Sequence, residues 1–431
     1  MRFSRLVLVR QRFPDRSIED IPAAVSHEMR AADFASKLKP GSSVAIGVGS
    51  RGIANIATIT RAVVDYWKSG GMQPFIFPAM GSHGAATPEG QADVLAHYGI
   101  HEATMGCPIV SQLEVVSLGK SLEGIEAFMD RAAYQSGGVM LIGRVKWHTD
   151  FVGKIESGLF KMMAIGLGKF AGAQYYHTWS YRLGLEAMIR SVGRQVLKSG
   201  KMLGGLAVLE DAYHNTAQVT AVPSEGMEQR EEELLALVKS WAGRIPVEHL
   251  DVLIVDEMGK DISGAGLDTK IVNRSGLAEY NPWPNVPKIE RVFVRGLTEL
   301  TQGNAVGLGM ADVITERLYE RIDWVPTKVN ALTAAALAAI RTPIHYPTDR
   351  ECLECLAAAV GKFDSQEVTI GWIHNTLELS RLALSENLMP EIKANPILEV
   401  IGEPFELEFD AGGNLPEMVR QVSESRAPVP A

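Results

Sequence analysis

Short apolar runs alternate with stretches of helical periodicity through the first half of this chain, and that alternation leaves few folds open. Residues 43–48 (SVAIGV), 74–78 (PFIFP), 139–144 (VMLIGR) and 207–210 read as short buried strands. Residues 53–67 and 88–98 between them carry helical spacing, with Thr87 as N-cap and Pro88 at the first helical position of the second. Strands separated by helices of about ten or more residues imply βαβ units and a parallel sheet. In such sheets ligands bind where the carboxyl ends of strands run into loops. Three unusual loops fall at those ends, at residues 49–52, 80–85 and 146–154.

A charged helix over residues 228–239 is followed by a break near residues 244–249 and a new strand at residues 250–256 (LDVLIVD). The expected fold class is therefore α/β: two α/β domains with mainly parallel sheets and an interdomain active-site cleft. Residues 1–246 form the first and residues 247–399 the second. The extended tail, residues 400–431, is expected to pack back on the first domain. Residues 331–340 (ALTAAALAAI) read as one small-residue helix, and Cys352 and Cys355 lie on a helix that begins near Thr348.

Composition narrows the function. The 431 residues are 46% apolar, enough for large cores. Acidic residues outnumber Lys and Arg by 51 to 42, for a net charge of -9, and no basic run occurs. That argues against nucleic acid or an anionic membrane as partner. No apolar window of about 18 residues suggests a spanning helix, and the N-terminus does not read as a signal peptide. Three cysteines do not make a disulfide framework, so a reducing cytoplasmic setting is expected.

Four constellations carry chemistry. Gly47-Val48-Gly49-Ser50-Arg51-Gly52 fits a GxGxxG turn after a strand, but no acid for ribose ends the next strand. What stands out is Arg51, a fixed cation suited to bidentate binding of a carboxylate. Gly81-Ser82-His83-Gly84 puts a histidine among small residues just past a strand. Residues 144–177 are the densest region, with His148, Lys154, Lys161, Lys169 and His177 set in a Gly- and Met-rich stretch. A buried lysine loses basicity and becomes a nucleophile, and Lys161, between Phe160 and Met162, is the best candidate; a lysine snorkelling to water from a helix surface is the alternative. Finally, Lys260 sits in the loop GKDISGAGLD after a strand, where a lysine suits an anionic group. The spacing of His83, His148 and His177 matches no zinc motif, and the single CxxC has no second pair.

Taken together these residues resemble the nickel-dependent lactate racemase family, whose members carry a nickel-pincer nucleotide. The family has an Arg in the loop after an early strand, matched by Arg51. Its G-[ST]-H turn is matched by Gly81-Ser82-His83. A histidine after a strand, an S-G-x-x-K segment and a further histidine are matched by His148, by Ser157-Gly158-Leu159-Phe160-Lys161, and by His177 sixteen residues on. The resemblance implies an isomerase: a racemase or epimerase of a 2-hydroxy acid working by hydride transfer. It implies a cofactor held covalently on Lys161 through a thioamide, and nickel bound by His177 beside the cofactor's two sulfurs and one ring carbon. His83 and His148 would flank the substrate as the two acid/base groups, a role that suits imidazole, whose pKa of about 6.5 lets it take and return a proton near neutrality. Arg51 and Lys260 would bind the substrate. The chain does not make the pincer, so cofactor-biosynthesis proteins are expected partners, and apo protein is expected without them. A homodimer is compatible with this reading.

The sequence departs from the family in two places. The acid and Thr before the loop Arg, and the Pro after it, are missing around Arg51. The family's second-domain Tyr-Gln is replaced by Ser263, Gly264 and Ala265, which implies a roomier pocket and a substrate larger than lactate, such as an aldonic acid. Two alternatives stay open: an NAD-dependent 2-hydroxy acid dehydrogenase using residues 47–52, and a non-catalytic hydroxy-acid-binding protein.

Overall fold

A computed structural model of the protein describes residues 1–49, 52–334 and 336–418. The chain divides into two compact units, one formed by residues 15–242 and the other by residues 1–14 together with residues 243 onward. Both are α/β with mainly parallel central sheets.

The unit of residues 15–242 is built on a five-stranded sheet in the order Gln73–Pro78, Ser43–Val48, Gly138–Arg144, Met202–Glu210, Thr216–Pro223. The first four strands are parallel and the last is antiparallel to its neighbour. The central strands are continuously buried, as a sheet covered on both faces requires. Alternate residues feed opposite layers. Ala45, Phe77, Val139 and Leu141 pack with Phe160, Met163, Ile189, Val192 and Leu235 on one face. Val44, Ile46, Ile76, Met140 and Ile142 pack with Val25, Met29, Ile59, Val63 and Trp67 on the other.

Local chemistry moves one helix boundary. The helix after Ser43–Val48 runs Ile56–Ser69, starting three residues later than its apolar spacing suggests. The Ala54 amide donates to Glu210, the Ala54 carbonyl accepts from the Thr216 hydroxyl, and Asn55 adopts a left-handed conformation with φ of 60°. The backbone there is already engaged and is not available for a helical turn. Pro88–His97 begins as expected, with the Thr87 hydroxyl accepting from the Gly90 amide.

The other unit carries an eight-stranded sheet: Ile344–Tyr346, Val313–Thr315, Lys288–Leu297, His249–Met258 and Ile370–Ile373 run parallel, and Arg381–Ser385, Leu6–Gln11 and Leu398–Val400 continue it antiparallel. The described part of the tail meets residues 6–11, which lie within the range expected for the first domain but belong here to the second sheet. Leu398–Val400 pairs with Leu6–Gln11, and Phe405 exchanges backbone hydrogen bonds with Leu6. The N-terminal strand, with Leu6, Val7 and Val9 fully buried, lies in this second sheet as well. The expected helix over residues 331–340 is also broken. Trp324–Thr333 ends, a separate turn forms at Leu337–Ile340, and the Ala339 carbonyl accepts from the Gly307 amide rather than from its own helix. Cys352 and Cys355 do lie on Asp349–Ala357, whose Thr348 N-cap forms a capping box with Glu351.

At the carboxyl ends of this sheet's parallel strands lies a buried charge network. Arg295 donates to Asp256 and Asp349 and to the carbonyls of Leu415 and Pro416, while the Trp372 indole also donates to Asp256. Asp349 also pairs with Arg317, so removing Arg295 leaves chiefly Asp256 without its guanidinium, and a buried charge stripped of its partner costs about 3–5 kcal/mol. Arg295→Met should therefore lower the urea midpoint of this unit by a corresponding amount; an unchanged midpoint would show that the network is not what holds the tail residues there.

Candidate active site

The segment that carries Lys161 is held by close packing. It begins with a short helical turn, Leu159–Lys161, and continues into a wider π turn, Met162–Gly166, closed by the bond from the Leu167 amide to the Met162 carbonyl. π turns cluster at functional sites. The flanking apolar side chains fall into gaps left by glycines. A β-carbon on Gly205 would lie 2.7 Å from Leu159, one on Gly193 2.5 Å from Phe160, and one on Gly143 2.6 Å from the Met162 sulfur. Leu159 and Phe160 are fully buried, whereas Lys161 is half-buried.

Beneath this turn lies Glu231. Its carboxylate accepts the Phe160 amide at 2.9 Å and packs against Gly158, where any side chain would collide with it. Glu231 is buried, Oε1 has no hydrogen-bond partner, and burial pushes its pKa up to about 7. Residues 228–239 read as a charged helix in sequence. Yet Glu231 shares the helical face of Leu234, Leu235 and Val238, at i, i+3, i+4 and i+7, and that spacing is the signal that marks it as buried.

The loop before this turn is organised by a second buried acid. Glu156 accepts the amides of His148 and Gly153 and the Lys239 ammonium. His148 is thereby fixed at its backbone. Its Nδ1 accepts the Asp150 amide at 3.0 Å and lies 3.6 Å from the Asp150 carboxylate. Phe151 packs on the ring at 4.8 Å between centroids.

His177 lies on the helix Lys169–Leu183. Burial holds its pKa below the usual histidine value, the Lys161 cation lowers it further, and Asp150 opposes both. Lys161 and Asp150 thus both act on His177, and Asp150 also adjoins His148. The His83 turn abuts the same segment: Gly81, with φ of 63°, sits where a β-carbon would meet Ile165 at 2.7 Å and Ala173 at 3.5 Å. Strand ends Val48, Pro78 and Arg144 lead into these loops.

Arg51 lies outside the described residues. Its loop is anchored beyond it by Glu210, which takes the Ala54 amide and the Arg144 guanidinium. Gly47 proves to be a strand residue: a β-carbon there would lie 2.5 Å from Leu141 and 2.8 Å from Phe77. The first glycine of the GxGxxG match therefore serves core packing, not a phosphate turn. Lys260, in the other unit, donates its amine to the Gly264 carbonyl at 2.9 Å, and its amide bonds to the Thr301 hydroxyl. Among the described residues no group of three or more His, Cys, Asp or Glu side chains is arranged to hold a metal ion, and no helix is long and apolar enough to cross a membrane.

Comparison with known proteins bears on the fold. No protein-family model matches the chain, and no curated protein matches it by sequence. Among solved structures, the lactate racemase apoprotein from Thermoanaerobacterium thermosaccharolyticum matches over 87% of this chain and 99% of its own, with a TM-score of 0.52 and 12% identity. A protein from Thermotoga maritima matches over 84% of this chain and 97% of its own, with a TM-score of 0.50 and 12% identity.

Glu231 yields a pH test. Its folded pKa is raised, so between about pH 4.5 and about 7 the folded protein keeps a proton that the unfolded chain has lost. Its contribution to stability must fall as pH rises through that window, by up to about 1.4 kcal/mol per pH unit. The stability difference between wild type and Glu231→Gln, read from denaturant titrations, should show this slope and level off above it; a flat difference would contradict the buried, proton-holding carboxyl. The architecture on which these residues are mounted is the fold of lactate racemase.

Proposed function

We propose that the protein is a racemase or epimerase of a 2-hydroxy acid and a member of the nickel-dependent lactate racemase family. What supports this reading is that Lys161 and Asp150 both act electrostatically on His177, with His148 beside Asp150, in a chain with a lactate racemase fold. The donor set fits the implied cofactor. Desolvation favours neutral His177, the state in which imidazole binds a metal. One protein nitrogen beside a lysine amine suits a metal whose remaining ligands come with an attached group. Lys161 would be the attachment point and His177 the protein ligand to nickel. When bound, a nickel-pincer nucleotide supplies the hydride acceptor and donor.

The chain's own groups handle the proton. In one enantiomer the substrate hydroxyl faces His148, whose backbone amide is held by Glu156; in the other it faces His83. For inversion, the histidine on one side takes the proton as the hydroxy acid is oxidised, and the histidine on the other side gives one as the planar 2-oxo acid is reduced. Base assistance of this kind is worth about 10²–10⁴-fold. Arg51 and Lys260 are proposed to bind the substrate carboxylate. The small residues Ser263, Gly264 and Ala265 favour a substrate larger than lactate, with an aldonic acid as the leading class.

The test is turnover by nickel- and cofactor-loaded protein. It should epimerise longer polyhydroxy 2-hydroxy acids faster than lactate, and His148→Asn and His83→Asn should each lower kcat by about 100-fold or more. Faster turnover of lactate would overturn the substrate class. NADH consumption with 2-oxo acids in place of epimerisation would overturn the reaction.

A further inference from the structure

Lys169 is fully buried, with a left-handed backbone of φ 53° at the start of the helix that bears His177. That region costs a non-glycine residue about 1–3 kcal/mol and persists only where the surroundings impose it. The side chain shows what imposes it. Its Nζ donates to the Pro78 carbonyl at 2.7 Å, at the end of Gln73–Pro78, and to Oε1 of Gln91 at 2.7 Å. The carboxylate of Asp130, also fully buried, lies 3.8 Å away. Burial pushes Asp130 up and Lys169 down to about 8, against their mutual attraction.

Gln91 carries the connection onward. It too is fully buried, and its amide donates to the carbonyls of Gly81 at 3.0 Å and His83 at 3.3 Å. Within the turn the His83 amide donates to the Met80 carbonyl at 3.4 Å, the Ala86 amide to the His83 carbonyl at 3.2 Å and the Thr87 amide to the Gly84 carbonyl at 3.1 Å. A continuous chain of hydrogen bonds thus runs from the helix of His177, through buried Lys169 and Gln91, to the backbone of Gly81 and His83.

We propose that Lys169 and Gln91 are positioning residues that fix the His83 turn relative to the helix carrying His177. Neither touches substrate in this scheme. The catalytic consequence rests on the reading of His83 as an acid/base group, whereas the anchoring of the turn does not.

Amide exchange on the apo protein tests the anchoring alone. Lys169→Met and Gln91→Leu should each speed exchange over residues 79–87 by about tenfold or more. The double variant should exchange no faster than either single, because both cut one connection. Residues 138–144 should stay protected. Unchanged exchange over 79–87, an additive double variant, or an equal rise in 138–144 would overturn the proposal. In loaded enzyme, both variants should lower kcat by about tenfold or more, as small misplacements of a reacting group do, with KM within about twofold. An unchanged kcat with a loosened turn would overturn the positioning role. Wild type that exchanges as expected but never epimerises would leave the anchor standing and remove the racemase reading.

Discussion

The seat of Lys161 depends on shape complementarity between three apolar side chains and three glycines. Leu159, Phe160 and Met162 occupy space that a β-carbon on Gly205, Gly193 or Gly143 would fill. Protein interiors are packed too densely for such a fit to be loosened cheaply. The strands Gly138–Arg144 and Met202–Glu210 and the helix Leu185–Lys198 therefore set the turn, and the turn sets where the lysine emerges. Glu231 closes the arrangement from below by binding the Phe160 amide and leaving Gly158 no room for a side chain. The segment is fixed by the sheet rather than by helical propensity of its own.

On that rigid seat, burial and charge act on His177, and hydrogen bonds hold His148. His177 is desolvated and lies under the influence of the Lys161 cation, which keeps it neutral. His148 is fixed by the Asp150 amide at its Nδ1 and by Glu156 at its own amide. Buried acids do the supporting work: Glu156 holds the His148 backbone and Glu210 ties Ala54 to Arg144.

Much of this was legible in the sequence, for identifiable reasons. The strands at residues 43–48, 74–78 and 139–144 announced themselves because a sheet covered on both faces needs unbroken apolar runs, and Thr87-Pro88 carries its capping chemistry locally. The candidate residues His148, Lys161 and His177 are close enough in sequence for one supersecondary unit to gather them. What was not legible depends on distant partners. Residues 6–11 read like any short strand, and nothing local says that they pair with Arg381–Ser385 and Leu398–Val400. The delayed start of Ile56–Ser69 is caused by Glu210 and Thr216, more than 150 residues away. Lys169 could be noticed as a lysine among glycines, but its link to His83 passes through Gln91, a residue without any motif.

The central claim is that the Lys161 amine is the attachment point of the cofactor. Intact-mass measurement after co-expression with a pincer-synthesis system tests it most directly. The account predicts a mass increase on the wild-type chain, mapped to the peptide containing Lys161 and absent from Lys161→Ala. No increase, or an equal increase in the variant, would contradict it.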